Sequence, residues 1–271
     1  MNQVALPIEP AKASSTRAAS PVGNDSWYVL SNLVIKDFKV RYRNMSLGIF
    51  WSLMNPLIMI GVLTYVFTFI MDNDRPHFAL FLLIGLLPYN FFSLAWSSGT
   101  ESVVLNGPLI KRVPFQRELV PISVVLGNAI HYLLQIALLL VAVAVVLGVN
   151  AQWLWLPIIV TLQVAFVCGI SLITSALNVY YRDMQYLVQS INMVFFWIVP
   201  IFYGFDQVDS SVSWLYEINP VAAVILIMRR VLLYQIDPGL ALIKMAVITV
   251  LTLWAGYAVF RRMQKDFSDY L

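Results

Sequence analysis

Long apolar runs separated by short polar and basic intervals set the pattern of this chain. The stretch from Lys36 to Met71 reads KDFKVRYRNMSLGIFWSLMNPLIMIGVLTYVFTFIM. Its basic preface leads into Ile49–Met71, which holds no ionisable side chain and exceeds the roughly 20 apolar residues that cross a bilayer. Similar runs follow over Phe78–Trp96, Pro121–Val149, Trp153–Val179, Tyr186–Phe205 and Leu240–Phe260. The pattern predicts an all-α, polytopic membrane protein with six transmembrane helices, at about 49–71, 78–96, 121–149, 153–179, 186–205 and 240–260.

The intervals between the runs have patterns of their own. Trp27, Leu30, Val34, Phe38, Tyr42 and Met45 recur every three or four positions, while Asn32, Lys36, Lys39 and Arg43 take the opposite face. That spacing predicts an N-terminal amphipathic helix over 27–47, lying in the membrane interface with its basic face on anionic headgroups. Arg41 sits at the edge of the apolar stripe. It either snorkels or meets an anionic group. Residues 1–26 are rich in Ala, Ser and Pro, lack the apolar core of a signal peptide, and are expected to form a disordered cytoplasmic tail. The polar break at 97–120 reads as a charged loop with a possible short helix, suited to docking a partner or serving as a plain connector. The segment 206–238 has an apolar centre, Val221–Met228, too short to cross before Arg229 and Arg230. It reads as an outer re-entrant or interfacial helix, started by Asn219 as cap and Pro220 in the first turn. Pro56, Pro88 and Pro200 fall within the predicted spans, where each removes a backbone donor and favours a kink.

Charge orients the spans. Six crossings place Lys12, Arg17, Lys36, Lys39, Arg41, Arg43, Lys111, Arg112, Arg117, Arg182, Arg261, Arg262 and Lys265 inside, against Arg75, Arg229, Arg230 and Lys244 outside or near the outer face. Basic loops stay cytoplasmic, so both termini are expected in the cytoplasm. A seventh crossing through Val221–Met228 would put Arg261, Arg262 and Lys265 on the wrong side.

Composition narrows the chemistry. The chain is 60% hydrophobic and 11% charged, far below the roughly 25% charged residues of soluble domains. It contains no GxxxxGK[ST] phosphate-binding loop, no HExxH, no Cys/His metal spacing and no nucleophile elbow. The six predicted spans contain no Asp or Glu, which argues against coupling to an ion gradient. The lone Cys168 and lone span histidine, His131, read as packed interior residues. What remains is a pathway without an engine. Aromatics crowd the predicted spans, and those facing inward would offer flat apolar surfaces to sugar rings; the rest form interfacial belts.

Four strings carry a family resemblance: KVRYRNMSLGIFWSLMNPLIMIGVLTYVFTFIM, LIGLLPYNFFSLAWSSGTESVVLNGPLIKRVPFQRELVPIS, NVYYRDMQYLVQ and INPVAAVILIMRRVLLY. Together they resemble permease subunits of polysaccharide ABC exporters, the type-2 ABC transporter permeases, over about residues 30–262. The resemblance implies one transmembrane domain over 27–271, in a bacterial plasma membrane protein. It implies a homodimer joined to two separate ABC ATPase subunits, which would bind ATP and Mg, with no cofactor in this chain and no catalytic residues or metal here. The cargo would be an O-antigen-type glycan on undecaprenyl diphosphate, drawn to Lys39, Arg41 and Arg43 at the inner entrance. Its pathway would draw on Trp51, Tyr65, Phe69, Tyr89, Phe92, Phe196, Phe202 and Tyr203. The ATPase would couple through Glu101, Asn106, Pro108, Lys111, Arg112, Arg117 and Glu118 within the cytoplasmic loop. An outer gate would involve Trp214, Asn219, Pro220, Arg229 and Arg230. A teichoic acid or capsule exporter of the same family is the neighbouring reading. A membrane-embedded glycosyltransferase or polymerase is a different class, with Asp206, Asp209, Glu217 and Asp237 as its only acids, and a passive channel a third.

Overall fold

The computed structural model describes residues 22–42, 51–70, 75–113, 115–204, 216 and 219–271. Among them there are helices and turns and no strands. In chain order the helices are α1 (Val22–Tyr42), α2 (Trp51–Tyr65, continued by a π-helical turn over Val66–Ile70), α3 (Phe78–Leu105), α4 (Gly107–Arg112) and α5 (Leu119–Leu147). A 3₁₀ turn at Ala151–Trp155 leads into α6 (Leu156–Tyr180), followed by α7 (Met184–Ile198), α8 (Pro220–Leu232), α9 (Leu240–Met263) and the short α10 (Phe267–Tyr270).

Among the described residues, four helical stretches are long and apolar enough to cross a membrane: Phe78–Leu105, Leu119–Leu147, Ala151–Tyr180 and Leu240–Asp266. They match the second, third, fourth and sixth predicted spans. The first and fifth differ. Helix α2 gives way to the π turn, and α7 stops after 15 residues. At about 1.5 Å per residue, α7 is some 22 Å long, short of a hydrocarbon core of about 30 Å. Pro200 accounts for the stop: it pushes the residue before it out of helical geometry, and Val199 is extended at φ −67°, ψ 138°.

Helix α3 is the axis of the bundle. Its flank from Phe78 to Phe92 is almost wholly buried against α5, α6 and α8. Phe91 stacks on Tyr132 of α5 at 4.6 Å, and Phe92 lies between Trp96, Phe166 and Phe195. A buried polar chain ties three helices: Tyr132 donates to Gln163 Oε1 (2.8 Å), and Gln163 Nε2 donates to the Pro88 carbonyl (2.8 Å). Small residues permit the closest approaches, as they do in membrane bundles generally. A methyl group at Gly169 of α6 would sit 2.8 Å from the α9 backbone at Leu253 and Thr252, where Gly256 comes across. On the neighbouring face, Gly99 of α3 faces Ser171, and the hydroxyls of Thr100 and Thr174 meet at 2.6 Å.

The sequence ends the second span at Trp96, whereas α3 runs on to Leu105. Three hydroxyls there donate back to carbonyls of their own helix. Ser98 donates to Leu94 O, Thr100 to Trp96 O and Ser102 to Gly99 O. Helix α8 likewise continues through both arginines to Leu232, past the apolar centre that the sequence marks out. At the chain's start, α1 begins at Val22, within the stretch expected to be a tail.

Candidate functional site

One end of the bundle carries α4, the end of α9 and the tail. The short helix α4 starts at Asn106 with Pro108 in its first turn. Ile110 is buried in a small core with Val103, Val120, Leu172, Phe260 and Phe267, while Pro108, Lys111 and Arg112 point outward. Asn106 joins three elements: its Nδ2 donates to Ser102 O (2.8 Å) and its Oδ1 accepts from Lys36 Nζ of α1 (2.9 Å). Arg117 donates to Gln264 O (2.5 Å), Tyr180 donates to Met263 O (2.7 Å), and Glu118 faces Arg261 at 3.8 Å. Helix α1 packs along α5, with Phe38 stacked on His131 at 5.4 Å. The result is a basic shelf, seated on a core and tied directly to the end of α3. Lys39 is exposed on α1, whereas Arg43 and the Arg41 side chain lie outside the described residues.

From this shelf a polar groove of about 400 Å³ rises between α3 and α7. Tyr89, Asn90, Ser93 and Ser97 line one wall and Gln189, Asn192, Met193 and Phe196 the other. Asn192 is its hub: Nδ2 donates to Ser97 Oγ (3.0 Å) and Ser93 O (3.3 Å), its backbone carbonyl accepts from the Tyr89 hydroxyl, and its buried Oδ1 has no partner among the described residues. Below it, Gln189 reaches Glu101 at 3.5 Å. Sequence reading passed over Asn90, Ser93, Gln189 and Asn192. The signal was there: Asn90, Ser93, Ser97 and Glu101 recur at spacings of three and four on one face of an apolar helix.

The aromatic residues singled out from the sequence fall in different places. Tyr89 and Phe196 meet at 5.5 Å in the groove. Tyr65 and Phe69 pair at 5.4 Å on the exposed face of α2 and its π turn. Phe92 is 1% exposed in the α3–α6–α7 core and does not line the groove. Phe202 stacks flat on Phe67 of the π turn at 5.8 Å, and the Tyr203 hydroxyl meets that of Tyr216 at 3.1 Å. The Trp51 side chain is not among those described.

The opposite end carries α8. Asn219 accepts from Val221 N (3.0 Å), capping the helix that Pro220 opens. Arg229, placed by the sequence at the end of the short apolar centre and in an outer gate, is only 2% exposed. Its Nη1 donates to Pro200 O (2.6 Å) and Tyr203 O (3.3 Å), and its Nη2 to Ile201 O (2.7 Å) and Phe81 O (3.3 Å). The guanidinium lies 3.4 Å from the centre of the Phe81 ring. Gly85 makes the room, since a Cβ there would stand 2.9 Å from Nη2. One cation thus binds α8, the turn after α7 and the start of α3. Arg230 turns the other way, is exposed, and donates to Asp237 O (3.0 Å). Trp214 lies outside the described residues. No cluster of His, Cys, Asp and Glu suited to a metal occurs among the described residues.

Residues 28–233 match the family model described as ABC-2 type transporter. The chain is 33% identical over 251 residues to the O-antigen export system permease protein RfbA of Klebsiella pneumoniae, covering 90% of this chain and 96% of that protein. It is 27% identical to the protein of the same name from Myxococcus xanthus, over 89% and 94% of the two chains. It is 24% identical to the polysialic acid transport protein KpsM of Escherichia coli, over 86% and 92%.

Proposed function

Because this chain belongs to the ABC-2 type transporter family, we propose that it is the permease subunit of an ATP-driven exporter that moves a lipid-linked polysaccharide across the plasma membrane. The observation that carries this reading furthest is the polar groove. Primary amides, hydroxyls and a carboxylate on the flank of an apolar bundle cannot face lipid tails without large cost. They belong against water, cargo or a second copy of the chain. Amides and aromatic rings together suit a glycan: the rings stack on sugar faces and the amides exchange hydrogen bonds with hydroxyls. Contacts of that kind are individually weak, which lets a long polymer keep moving.

In this reading the permease is a homodimer of six-span subunits, with α2 plus its π turn and α7 as the first and fifth spans. Both termini and the α4 shelf lie in the cytoplasm, by the excess of basic residues at that end. Two ATPase subunits bind ATP and Mg and press on α4 through Pro108, Lys111 and Arg112. Lys39, Arg41 and Arg43 attract the diphosphate of the carrier lipid. Force applied at Asn106 enters α3, a continuous rod of 28 residues, about 42 Å long. The cargo class is an O-antigen-type glycan on undecaprenyl diphosphate, and the likeness to a polysialic acid transport protein keeps capsular polymers within it.

The test is purification of the chain from its native membrane. A stoichiometric ATPase bearing a phosphate-binding loop is the expected companion; its absence would sink the exporter reading. Within such a complex, Asn192→Leu should cut glycan export about tenfold or more while the ATPase still co-purifies. Undiminished export would remove the groove from the pathway.

A further inference from the structure

Helix α4 is too short to hold itself in place. It has six residues, and isolated helices below about 12 residues are marginal in water. Its buried residues are Gly107 and Ile110. What packs under those two decides where the outward face, Pro108, Lys111 and Arg112, stands. Much of that seat comes from the far end of the chain.

Beyond α9 the chain continues through a 3₁₀ turn at Gln264–Asp266 into α10. Phe260, Met263, Phe267 and Leu271 recur every three or four positions and turn inward, while Arg261, Arg262, Lys265, Asp266 and Tyr270 are exposed. Phe267 is fully buried, edge-on to Phe260 at 5.5 Å and to Tyr180 of α6 at 6.1 Å, in the same apolar core as Ile110. Tyr180 also packs on Tyr270 at 4.6 Å. Leu271 lies against the first residue of α4: a Cβ on Gly107 would stand 3.7 Å from Leu271 Cβ and 3.6 Å from its Cδ2. The bond from Leu271 N to Phe267 O (3.0 Å) holds it there. Two carbonyls of the run are taken by side chains of other elements, Gln264 O by Arg117 and Met263 O by Tyr180. The tail is thus continuous with the last span, wedged behind α4, and fastened to the approach to α5 and the end of α6. The contact between α4 and the tail is apolar and closed, and parting it would expose both sides to water. A push on α4 therefore carries the tail with it.

We propose that residues 264–271 are a positioning element for α4. The two move as one block, so that a push on α4 reaches the last span, α9, as well as α3. This rests on the reading of α4 as the surface that meets an ATPase. Phe267, being fully buried, is a positioning residue that acts on that contact through α4.

The first test uses the spacing of Gly107 and Leu271, which suits a disulfide, whose Cβ atoms stand about 3.5–4.5 Å apart. The one native cysteine, Cys168, is buried within α6. In the full-length chain within its ATPase complex, Gly107→Cys/Leu271→Cys should cross-link under mild oxidation. Export, read as the arrival of radiolabelled polysaccharide at the cell surface, should continue at close to its rate after reduction. Failure to cross-link would overturn the proposal. So would export that stops on cross-linking and returns on reduction, because α4 must then part from the tail to work. The second test separates positioning from plain stability. Phe267→Ala should leave ATP hydrolysis and ATPase co-purification in place while export per ATP hydrolysed falls about fivefold, and Phe267→Leu should recover most of it. A side chain that merely filled the core would lower the yield of complex and leave that ratio unchanged, and an unchanged ratio overturns the positioning role. If Phe267→Ala does not assemble, Tyr180→Phe, which removes one hydroxyl and keeps the ring, is read by the same ratio, with a fall of about twofold expected. Absence of the ATPase would end the exporter reading; cross-linking needs no ATPase and reports on the tail and α4 in either case.

Discussion

The two ends of the bundle hold their elements together by different physics. At the α8 end a guanidinium is buried among four carbonyls and an aromatic ring. At the α4 end, more exposed cations reach across to other elements: Lys36 to Asn106, Arg117 to Gln264, and Arg261, 57% exposed, to the buried Glu118 at 3.8 Å. A buried charge has no substitute partner if its acceptors leave, so it fixes geometry. An exposed one exchanges its partner for water at little cost. One end is built to stay as it is, and the other to yield when pushed.

Breaking the clamp should therefore cost most. Arg229→Met withdraws the guanidinium donors from the carbonyls of Pro200, Ile201, Tyr203 and, as a second donor, Phe81, and should destabilise the protein by about 3–5 kcal/mol, read as an early melt in detergent. Lysine, with one compact ammonium in place of a fork, should recover only part of that. Next comes Gly85→Ala. Its methyl would press on Arg229 Nη2 at 2.9 Å and Ile201 O at 3.3 Å, for a loss of about 1–3 kcal/mol. The two should be strongly non-additive, because both act on one contact. Lys36→Ala at the other end should cost about 0.5–1 kcal/mol in melting experiments. Arg261→Gln should be smallest, at about 0.5 kcal/mol or less, and raised salt should abolish even that. A loss at Arg261 equal to that at Arg229 would erase the contrast between the ends.

Much of the fold can be read from the apolar runs, and the exceptions share a cause. The predicted 121–149 and 153–179 became Leu119–Leu147 and Ala151–Tyr180, because uninterrupted apolar sequence and helix coincide there. Elsewhere polarity was read as a boundary and was not one. Ser98, Thr100 and Ser102 bond back to their own helix, so α3 passes straight through them. Arg229 looked like the end of a buried stretch because its acceptors are main-chain oxygens, identical in every residue and so silent in a sequence. The end of α7 is the reverse case, where apolar residues continue but Pro200 stops the helix. The groove was legible in part: its α3 side shows a regular polar stripe, whereas its pairing with Gln189 and Asn192 depends on which helix lies alongside.

The crossing of α6 and α9 at Gly169 and Gly256 has a consequence for how the protein is made. Few contacts in the molecule are so intimate, and its two halves leave the ribosome far apart in time. Until α9 is in place, the Gly169 face of α6 lacks its partner and presents a backbone-deep notch. The notch closes when α9 packs across α6, so a check that probes it would read whether α9 has been inserted.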